Sequence, residues 1–367
     1  MGQGLITRRN VMRGALGAGS AVTLGAAAYA LGPSYGEAVG QVWRHVEPSG
    51  PVDLPYLAHY ATLAANSHNT QPWRFSLEGR RVAIAPDFSR ATPVVDPDHH
   101  HLYASLGCAA ENLALAAGTA GSAAAIGFSQ DGADRVEIDL VDAAPARDPL
   151  FEAILERQST RSDYDGTEIP AADLRAVAGA AQVEGSSLVL VSDKAKIEQV
   201  LELAIAANTS QVEDPAFVDE LRAWLRFNVS QATNSRDGLY SGCTGNPSLP
   251  PWLGQLLFGF FFSAKSENDK LARQMRSSSG LAVFVSERDD KAHWVASGRS
   301  CQRFALAATA RGLRHAFVNQ IVEVEATRRQ FAELLGLGDR RPDMILRFGY
   351  AQPMPKSLRR PVAKVIV

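Results

Sequence analysis

The sequence predicts an α+β protein made of two tandem halves. Segments with apolar residues at helical spacing alternate with short segments typical of strands. The alternation starts again near residue 148, and a helical stretch that begins at Gly107 recurs at Gly298. With 367 residues, 46% of them apolar and 21% charged, the chain has the composition of a soluble globular protein and the length of two domain-sized units.

In the first half, a helix comes first and is broken by the Asn, Ser and Pro residues of 66–72. Two alternating segments then predict a hairpin that turns at Glu78-Gly79-Arg80. An Ala-rich stretch predicts a long helix, and one more strand follows it. The predicted helices are 54–65 and 102–119, and the predicted strands are 73–77, 81–85 and 135–141.

In the second half, helices dominate, and the one at 194–208 is rich in residues of high helix propensity. Three apolar segments have the length and β-branched content of strands. The predicted helices are 148–157, 174–181, 194–208, 215–228 and 294–311, and the predicted strands are 187–191, 280–286 and 344–349.

One internal repeat links the halves. Residues 107–121 match residues 298–312 with a constant offset, since 298 − 107 and 312 − 121 both equal 191. The shared core is Ala-Leu-Ala-Ala with a glycine at each end, and small residues permit a closely packed central helix. The match favours duplication, although Ala-rich helices also converge by chance.

The segment 229–265 differs from its surroundings. Residues 230–251 are rich in Asn, Ser, Gly and Pro and predict a long loop of the kind that forms lids or binding loops. An aromatic run at 252–262 follows, too short to span a bilayer. We favour a core helix for this run, with a flap over an apolar cofactor face as the alternative.

The first thirty residues have the pattern of a twin-arginine signal peptide. Arg8-Arg9 precedes an apolar run, and the segment ends in the small-x-small pattern Ala28-Tyr29-Ala30. This predicts export through the twin-arginine translocon to the periplasm or the exterior, with an uncleaved membrane anchor as the alternative. The predicted organisation is a signal peptide (1–30), a linker (31–52), a first half (53–147) and a second half (148–367) with a lid-like insertion (229–265).

Several kinds of site are disfavoured. A net charge of −2 argues against nucleic-acid binding. Cys108, Cys243 and Cys301 are too few for a disulfide framework or a zinc ribbon, and the first and third are expected as small buried residues. The run His99-His100-His101 is predicted to be a solvated turn, because adjacent positions point in different directions. No metal site is predicted.

The residues Asn66 to Trp73 form the clearest chemical motif. Short hydroxyl and amide side chains at a helix end can present donors and acceptors to a flat heterocycle, although they could also simply cap the helix. The pattern Ser67-x-Asn69-x-Gln71-Pro72-Trp73 resembles the signature of the nitroreductase family. The resemblance implies that Asn66, Ser67, Asn69 and Gln71 contact the ring of FMN.

Two further segments resemble the same family. The pattern Arg157-x-Ser159-x-Arg161 is similar to the segment that opens nitroreductase domains, and its arginines offer donor forks suited to phosphate. The basic tail, residues 356–361, is similar to the end of the family's domain. The resemblance implies that the two segments hold the FMN phosphate, ribityl chain and pyrimidine edge through Arg157, Ser159, Arg161, Lys356, Arg359 and Arg360.

The order of the motifs departs from that of an ordinary nitroreductase, in which the Arg-Ser-Arg segment precedes the Ser-Asn loop. Here the loop lies in the first half, and the second half has Val183-Glu184-Gly185 where its own loop would be. Nitroreductases are homodimers with the flavin at the interface. The arrangement resembles the double-length Acg family and implies a nitroreductase-like fold, an intramolecular pseudo-dimer and one complete flavin site.

The resemblance implies an FMN-dependent oxidoreductase that transfers hydride through the flavin to a nitro compound, a quinone or a similar small acceptor. NAD(P)H is one candidate donor. The alternative is a non-catalytic protein that stores FMN under a lid. No side chain is assigned a catalytic role, and the sequence does not indicate whether the pseudo-dimer pairs further.

Overall fold

The computed structural model describes residues 33–129 and 134–367. The predicted signal peptide at 1–30 lies outside these residues and stays a prediction. Among the helices of the described residues, none is both long enough and apolar enough to cross a membrane.

The first half is a four-stranded antiparallel sheet with helices around it. Its strands stand in the order β1-β2-β4-β3, with β1 at one edge. The helices are α1 (Pro33–Val42), α2 (Leu54–Thr62) and α3 (His100–Thr119), and the strands are β1 (Trp73–Glu78), β2 (Arg81–Pro86), β3 (Ser122–Ser129) and β4 (Arg135–Asp142).

The second half contains a second antiparallel sheet in the order β5-β8-β10-β9, and a short parallel pair, β6 with β7. Its strands are β5 (Ser186–Val191), β6 (Leu225–Arg226), β7 (Leu239–Tyr240), β8 (Gly280–Ser286), β9 (Arg314–Phe317) and β10 (Pro342–Gly349). Its helices are α4 (Pro149–Glu156), α5 (Ala171–Ala180), α6 (Lys194–Glu213), α7 (Pro215–Trp224), α8 (Val229–Ser235), α9 (Pro251–Phe261), α10 (Ala264–Arg276), α11 (Lys291–Ala310), α12 (Gln320–Glu323) and α13 (Glu325–Leu335).

The two sheets have the same topology. If β1, β2, β3 and β4 are matched in order with β5, β8, β9 and β10, the strand orders β1-β2-β4-β3 and β5-β8-β10-β9 become identical. In each half the long helix, α3 or α11, follows the second of these strands. The second half differs by a long insertion at 192–279, which carries α6 to α10 between β5 and β8.

The helices α3 and α11 pack against each other at two glycines. A Cβ atom on Gly107 would overlap the carbonyl oxygen of Val295, and a Cβ atom on Gly298 would overlap the carbonyl oxygen of Ala104. The contact is reciprocal, because 298 − 107 and 295 − 104 both equal 191. The offset of the sequence repeat is therefore also the offset of a two-fold-like contact between the halves.

A single apolar core extends through both halves. It includes Phe75 on the first sheet, Phe284 on the second and Phe304 on α11 between them. Cys108 and Cys301 are buried in the two central helices, as predicted. A second cluster fills the space between the outer face of the second sheet and α6, α10 and α13. Burial at roughly 25 cal/mol per Å² of apolar surface makes the shared core the main source of cohesion between the halves.

The C-terminal tail crosses from the second half to the first sheet. The backbone N–H of Phe75 on the edge strand β1 donates to the carbonyl oxygen of Val365 at 2.7 Å, and the N–H of Val367 donates to the oxygen of Phe75 at 2.9 Å. Ile366 forms a parallel bridge with Phe75. The tail thereby covers the free edge of β1, which would otherwise present unpaired backbone groups.

Most predicted elements are confirmed within a few residues, but some elements were not predicted. Residues 33–42 form a helix, whereas their composition indicates a linker. Tertiary contacts stabilise this helix, since Tyr35 is fully buried and its hydroxyl donates to the carbonyl oxygen of Lys356 at 2.9 Å. Strand β3 was missed, since its sequence Ser-Ala-Ala-Ala-Ile-Gly-Phe-Ser has few β-branched residues. Strand β9 and helices α10 and α13 were also not predicted.

The predicted solvated turn at His99–His101 is wrong. His100 and His101 belong to the first turn of α3, and they are only 2% and 5% exposed. His99 takes a left-handed conformation (φ 61°) that turns the chain into the helix. The two rings are buried because they pack against β10, which the sequence alone does not place beside α3.

The favoured core-helix interpretation of residues 252–262 is also wrong. Of the residues in α9, only Gly254 is buried. Trp252 is 68% exposed and Phe260 is 75% exposed. The polar part of the segment is not a plain loop, because it contains α8, β7 and a short 3-10 turn. One face of α9 covers a cavity, which accounts for its apolar residues.

Candidate functional site

A cavity of about 540 Å³ lies between the two halves. The first half contributes the loop that follows α2 and the first turns of α3. The second half contributes parts of its long insertion and of the segment around β9 and α12. The lining residues include Asn66, Ser67, His68 and His101 from the first half and Arg161, Asn208, Gln211, Phe258 and Glu323 from the second.

The loop 66–73 has a constrained backbone. His68, Asn69 and Gln71 all have positive φ angles, of 45°, 55° and 56°. Such conformations in residues other than glycine cost about 1–3 kcal/mol each and persist only when the surroundings impose them. Here the Asn66 side-chain oxygen accepts the N–H of Gln71 at 2.9 Å, and the N–H of Thr70 donates to the carbonyl oxygen of Ser67 at 2.9 Å. The loop is therefore preorganised.

Asn69 and Gln71 do not line the cavity. The Asn69 amide donates to the carbonyl oxygens of Gly238 and Leu358 at 3.1 and 3.2 Å. The Gln71 oxygen accepts the N–H of Arg360 at 2.7 Å. These two side chains join the loop to the insertion and to the tail, so the structure gives them a role different from the predicted contact with a ring.

Ser67 and His68 lie on the wall of the cavity. The Nδ1 atom of His68 is buried and has no hydrogen-bond partner among the described residues. Burial lowers the pKa of the His68 imidazole to about 4, helped by the nearby Arg161, so the ring is neutral at pH 7. Sequence reasoning missed His68, because it occupies a variable position of the motif and only its place in the loop marks it.

Arg161 is one of the charged residues of the cavity wall, together with Glu267, Lys270 and Glu323. Its main chain is fixed, since its N–H donates to Met354 Sδ at 3.2 Å and its carbonyl oxygen accepts the Gln274 amide at 2.5 Å. Its guanidinium forms neither a hydrogen bond nor an ion pair with any described residue. Burial lowers the pKa of Arg161, yet a guanidinium remains charged at neutral pH. An unpaired buried cation is costly and marks a place for an anion.

Arg157 and Ser159 lie behind this wall and not on it. Arg157 donates to the carbonyl oxygen of Leu63 at 2.8 Å, while its buried Nε has no partner among the described residues. Burial lowers the pKa of Arg157 to about 10. Ser159 forms a parallel bridge with His315 on β9. The opening segment of the second half thus places only Arg161 on the cavity.

The basic tail holds the loop in place. Arg359 donates to the carbonyl oxygen of Thr62 at 2.7 Å and to the Asn69 side-chain oxygen at 2.9 Å. This position at the C-terminal end of α2 suits a cation, because the carbonyl groups there carry partial negative charge. Burial lowers the pKa of Arg359 to about 9. Arg359 does not line the cavity, which differs from the predicted phosphate contact.

The other two basic residues of the tail are also engaged elsewhere. Lys356 contacts the carbonyl oxygen of Leu155 and forms an ion pair with Glu156 at 3.3 Å. Arg360 donates to the carbonyl oxygen of Gln71 at 3.3 Å. Neither lines the cavity, so their predicted phosphate contacts would require a rearrangement of the tail.

The remaining walls combine aromatic side chains of the run at 252–262, for which a flap over a cofactor is the alternative prediction, with amide side chains that were not predicted. Phe258 and Phe261 of α9 cover one side, and Asn208 and Gln211 of α6 form part of another. Large ligand sites are typically apolar with a few well-placed polar groups, as here. These residues carry no motif, and only their contact with the cavity identifies them.

A model of the nitroreductase family matches residues 154–350, which is more than half of the chain. The chain belongs to the nitroreductase family. Two Mycobacterium tuberculosis proteins with the provisional name of NAD(P)H nitroreductase are similar along most of their length. One, Rv3131, is 28% identical over 83% of this chain and 88% of its own, and the other, acg, is 26% identical over 83% and 92%.

Solved nitroreductases also resemble the chain in structure. One from Desulfitobacterium hafniense with bound FMN covers 59% of this chain and 96% of its own, with 16% identity and a TM-score of 0.39. NfnB from Mycobacterium smegmatis in complex with NADPH covers 56% and 88%, with 18% identity and a TM-score of 0.38. The family match confirms the predicted nitroreductase-like α+β fold. It begins at residue 154, so the loop 66–73 lies outside it.

A fully buried histidine predicts a steep loss of stability in acid. Burial, with Arg157 nearby, lowers the pKa of His315 to about 3, whereas an unfolded histidine titrates near 6.5. Below pH 6.5 the unfolded state binds the extra proton, so folding stability is fully present above that pH and falls as the pH drops towards 3. Between pH 6.5 and 5 the loss is about 2 kcal/mol. We expect His315→Leu to flatten the slope of unfolding free energy against pH, measured by urea denaturation.

The exposed His45 provides the control, since its side chain is 53% exposed. His45→Leu should leave the pH slope unchanged. Equal slopes in the wild type and in His315→Leu would show that the His315 ring is protonated in the folded protein.

Proposed function

We propose that this nitroreductase-family chain is an FMN-dependent oxidoreductase with one flavin site shared by its two halves. The observation that carries the proposal is the unpaired guanidinium of Arg161 in a cavity that the Ser67–His68 loop of the other half also lines. The sequence motifs that resemble flavin-binding segments of the family thus meet at one cavity, although they lie about ninety residues apart in the chain.

The cavity fits a flavin in size and chemistry. Its volume of about 540 Å³ is within the range of sites for compounds of this size, roughly 300–1,000 Å³. A flat ring with polar edges needs apolar faces and a few donors, which Phe258, Ser67 and the neutral His68 provide. The phosphate needs a cation, which Arg161 provides. The predicted contacts of Lys356, Arg359 and Arg360 require the tail to move towards the ligand, and that of Arg157 requires its own segment to move.

We also propose that the two halves form an internal pseudo-dimer. Supporting this are the identical strand order of the two sheets and the reciprocal contact of Gly107 and Gly298 at one offset. The C-terminal tail of the second half pairs with the edge strand of the first sheet, as a segment exchanged between the subunits of a dimer would. Where the second loop would lie, Val183 and Ser186 instead form a tight bridged turn, so a second complete site is not expected.

When bound, FMN supplies the capacity to accept and donate a hydride. The chain's own residues position and shield it. The rigid loop presents Ser67 without reorganisation, because its left-handed residues are already fixed. Helix α9 places Phe258 and Phe261 along one side of the cavity, where they limit the access of water. Arg161 compensates negative charge in a cavity of low polarity.

We propose a reduced nicotinamide as the donor and a nitro compound, quinone or similar small molecule as the acceptor, as the names of the relatives suggest. The rival function is storage of FMN without turnover. The cover that α9 places over the cavity motivates it, and so does the proposed export, which would remove the protein from cytoplasmic NAD(P)H.

Anaerobic reduction separates turnover from storage. Without oxygen, we expect NADPH or NADH to bleach the flavin absorbance of the FMN-loaded protein. A nitroaromatic or quinone should then restore the absorbance. Dithionite provides the control, because it reduces any accessible flavin. If dithionite bleaches the flavin and neither nicotinamide does, the proposed nicotinamide donor is wrong, and storage or a different electron donor is favoured.

A further inference from the structure

A cluster of ligating side chains lies at the start of α3, beside the cavity. Asp96, His100 and His101 are all buried, with at most 5% exposure. One carboxylate oxygen and one ring nitrogen from each histidine lie within 4.8 Å of one another. Two imidazoles and a carboxylate are a ligand set typical of zinc and related divalent transition metals. We propose that this cluster is a metal-binding site, separate from the flavin chemistry of the proposed function.

Both histidines have outer partners that leave one ring nitrogen free. His100 Nε2 lies 2.8 Å from a carboxylate oxygen of Asp343, and His101 Nε2 lies 3.1 Å from the carbonyl oxygen of the same residue. In metal sites, a histidine typically donates its second N–H to such an acceptor, which fixes the ring and raises its basicity as a ligand. No hydrogen bond among the described residues uses either Nδ1 atom, so both remain for a metal.

Asp343 is itself held in position. It accepts hydrogen bonds from the hydroxyl groups of Ser286 and Ser297, both at 2.5 Å, and its side chain is fully buried. It therefore orients His100 through a rigid network. This arrangement of carboxylate, imidazole and open ring nitrogen is the outer shell that a metal site requires.

A fourth ligand is within reach. A carboxylate oxygen of Glu323 lies 3.8 Å from His101 Nδ1, and its other oxygen accepts the Gln211 amide at 2.7 Å. Asp96 uses its oxygens to accept the backbone N–H groups of His101 and Leu102, which positions it while leaving further lone pairs. Asp96 and Glu323 come from opposite halves, so a metal would connect the two.

The charge balance also favours a cation. Asp96 and Asp343 are buried, and the side chain of Glu323, which is 14% exposed, adds a third carboxyl group beside His101. The nearby Arg341 is already paired with Asp98 at 2.7 Å and with Asp289 at 3.1 Å. A divalent ion would neutralise the cluster.

The ligands must close slightly around an ion. In a tetrahedral site with bonds of about 2.0–2.2 Å, ligand atoms lie roughly 3.4 Å apart. The separations of up to 4.8 Å therefore have to shorten by up to about 1.4 Å, since 4.8 − 3.4 = 1.4. An ion would draw the Glu323 side chain, which lines the cavity, and the proposed ligands towards one another.

Metal analysis of the whole chain tests the proposal. Protein equilibrated with Zn²⁺ and passed through a desalting column should retain about one zinc per chain, measured by inductively coupled plasma mass spectrometry. Loading with Co²⁺ should give visible d–d absorption of a site with nitrogen and oxygen ligands. Both readouts are independent of FMN and of activity, so they distinguish failure of this proposal from failure of the proposed function.

Three variants provide the comparison. His101→Gln should lose the zinc and the cobalt absorption. Asp96→Asn should weaken zinc binding and the cobalt absorption. This variant keeps one side-chain oxygen for the backbone N–H groups of the helix, so it provides the test if His101→Gln fails to fold. His99→Asn is the matched control, because Asn tolerates the left-handed conformation of that position, and it should retain one zinc. Less than about a tenth of a zinc in the wild type, or zinc retained in His101→Gln and Asp96→Asn, would overturn the proposal.

Discussion

Gly298→Ala should lower the free energy of unfolding by about 3 kcal/mol or more, the largest effect that we expect from one added methyl group. The new Cβ would overlap the backbone carbonyl of Ala104 on α3. Backbone atoms cannot rotate away as a flexible side chain can, so the two central helices must separate. Because the shared core surrounds this crossing, separation exposes apolar surface in both halves.

The reciprocal position sharpens this test. Gly107→Ala should have an effect of similar size, since its Cβ would overlap the carbonyl oxygen of Val295. Gly179→Ala on α5 is the matched control, because no atom lies within 4 Å of its added Cβ, and it should stabilise by up to about 1 kcal/mol. Urea denaturation gives all three values. Near-neutral changes at both Gly298 and Gly107 would contradict the close helix crossing.

Arg161→Ala should raise the dissociation constant for FMN by about 30- to 1,000-fold, which corresponds to about 2–4 kcal/mol for a lost buried charge pair. The stability of the protein without FMN should not fall. The guanidinium has no partner among the described residues, so its removal breaks no bond, and it removes an unpaired buried charge. Calorimetric FMN titration and denaturation of the FMN-free protein measure the two effects separately.

The control for Arg161 is another arginine close in space. Arg273 is 60% exposed and pairs with Asp163 at 2.9 Å, two residues from Arg161 in the chain. Arg273→Ala should leave FMN affinity within a factor of about 2, because exposed ion pairs contribute little. Unchanged affinity in Arg161→Ala would show that the phosphate lies elsewhere. A loss of stability without FMN would show that Arg161 has a structural role.

The sequence predicts the fold well where local signals are strong. The helix that follows Leu102 and the strand Gly280–Ser286 have clear apolar patterns and were identified. The offset of 191 residues, taken from two Ala-rich segments, is also the offset of the Gly107 and Gly298 contact. The strand β3 was missed because its alanines and glycine have low strand propensity, and only its pairing with β4 forms it.

The sequence predicts part of the site. The other part depends on tertiary contacts, which the sequence does not show. The loop residue Ser67 and the distant Arg161 do lie on one cavity. The motif residues Asn69 and Arg359 instead bind each other at 2.9 Å. A motif shows which residues act together, but not which of them face a ligand and which hold the others in place.

The histidines at the start of α3 show the same limit more strongly. Adjacent positions on a helix point in different directions, which favours a solvated turn for His100 and His101. The loop at Asp96 and the strand around Asp343 enclose both rings from outside the helix. Nothing in the local sequence indicates those neighbours.

The central claim is that two halves share one FMN site, and the ratio of FMN to chain tests it most directly. Protein freed of flavin is saturated with FMN, separated from the excess and denatured, and the released FMN is measured against protein concentration. We predict one FMN per chain, whatever the oligomeric state. Two per chain would contradict the loss of the second site, and a chain that retains none would contradict the shared site itself.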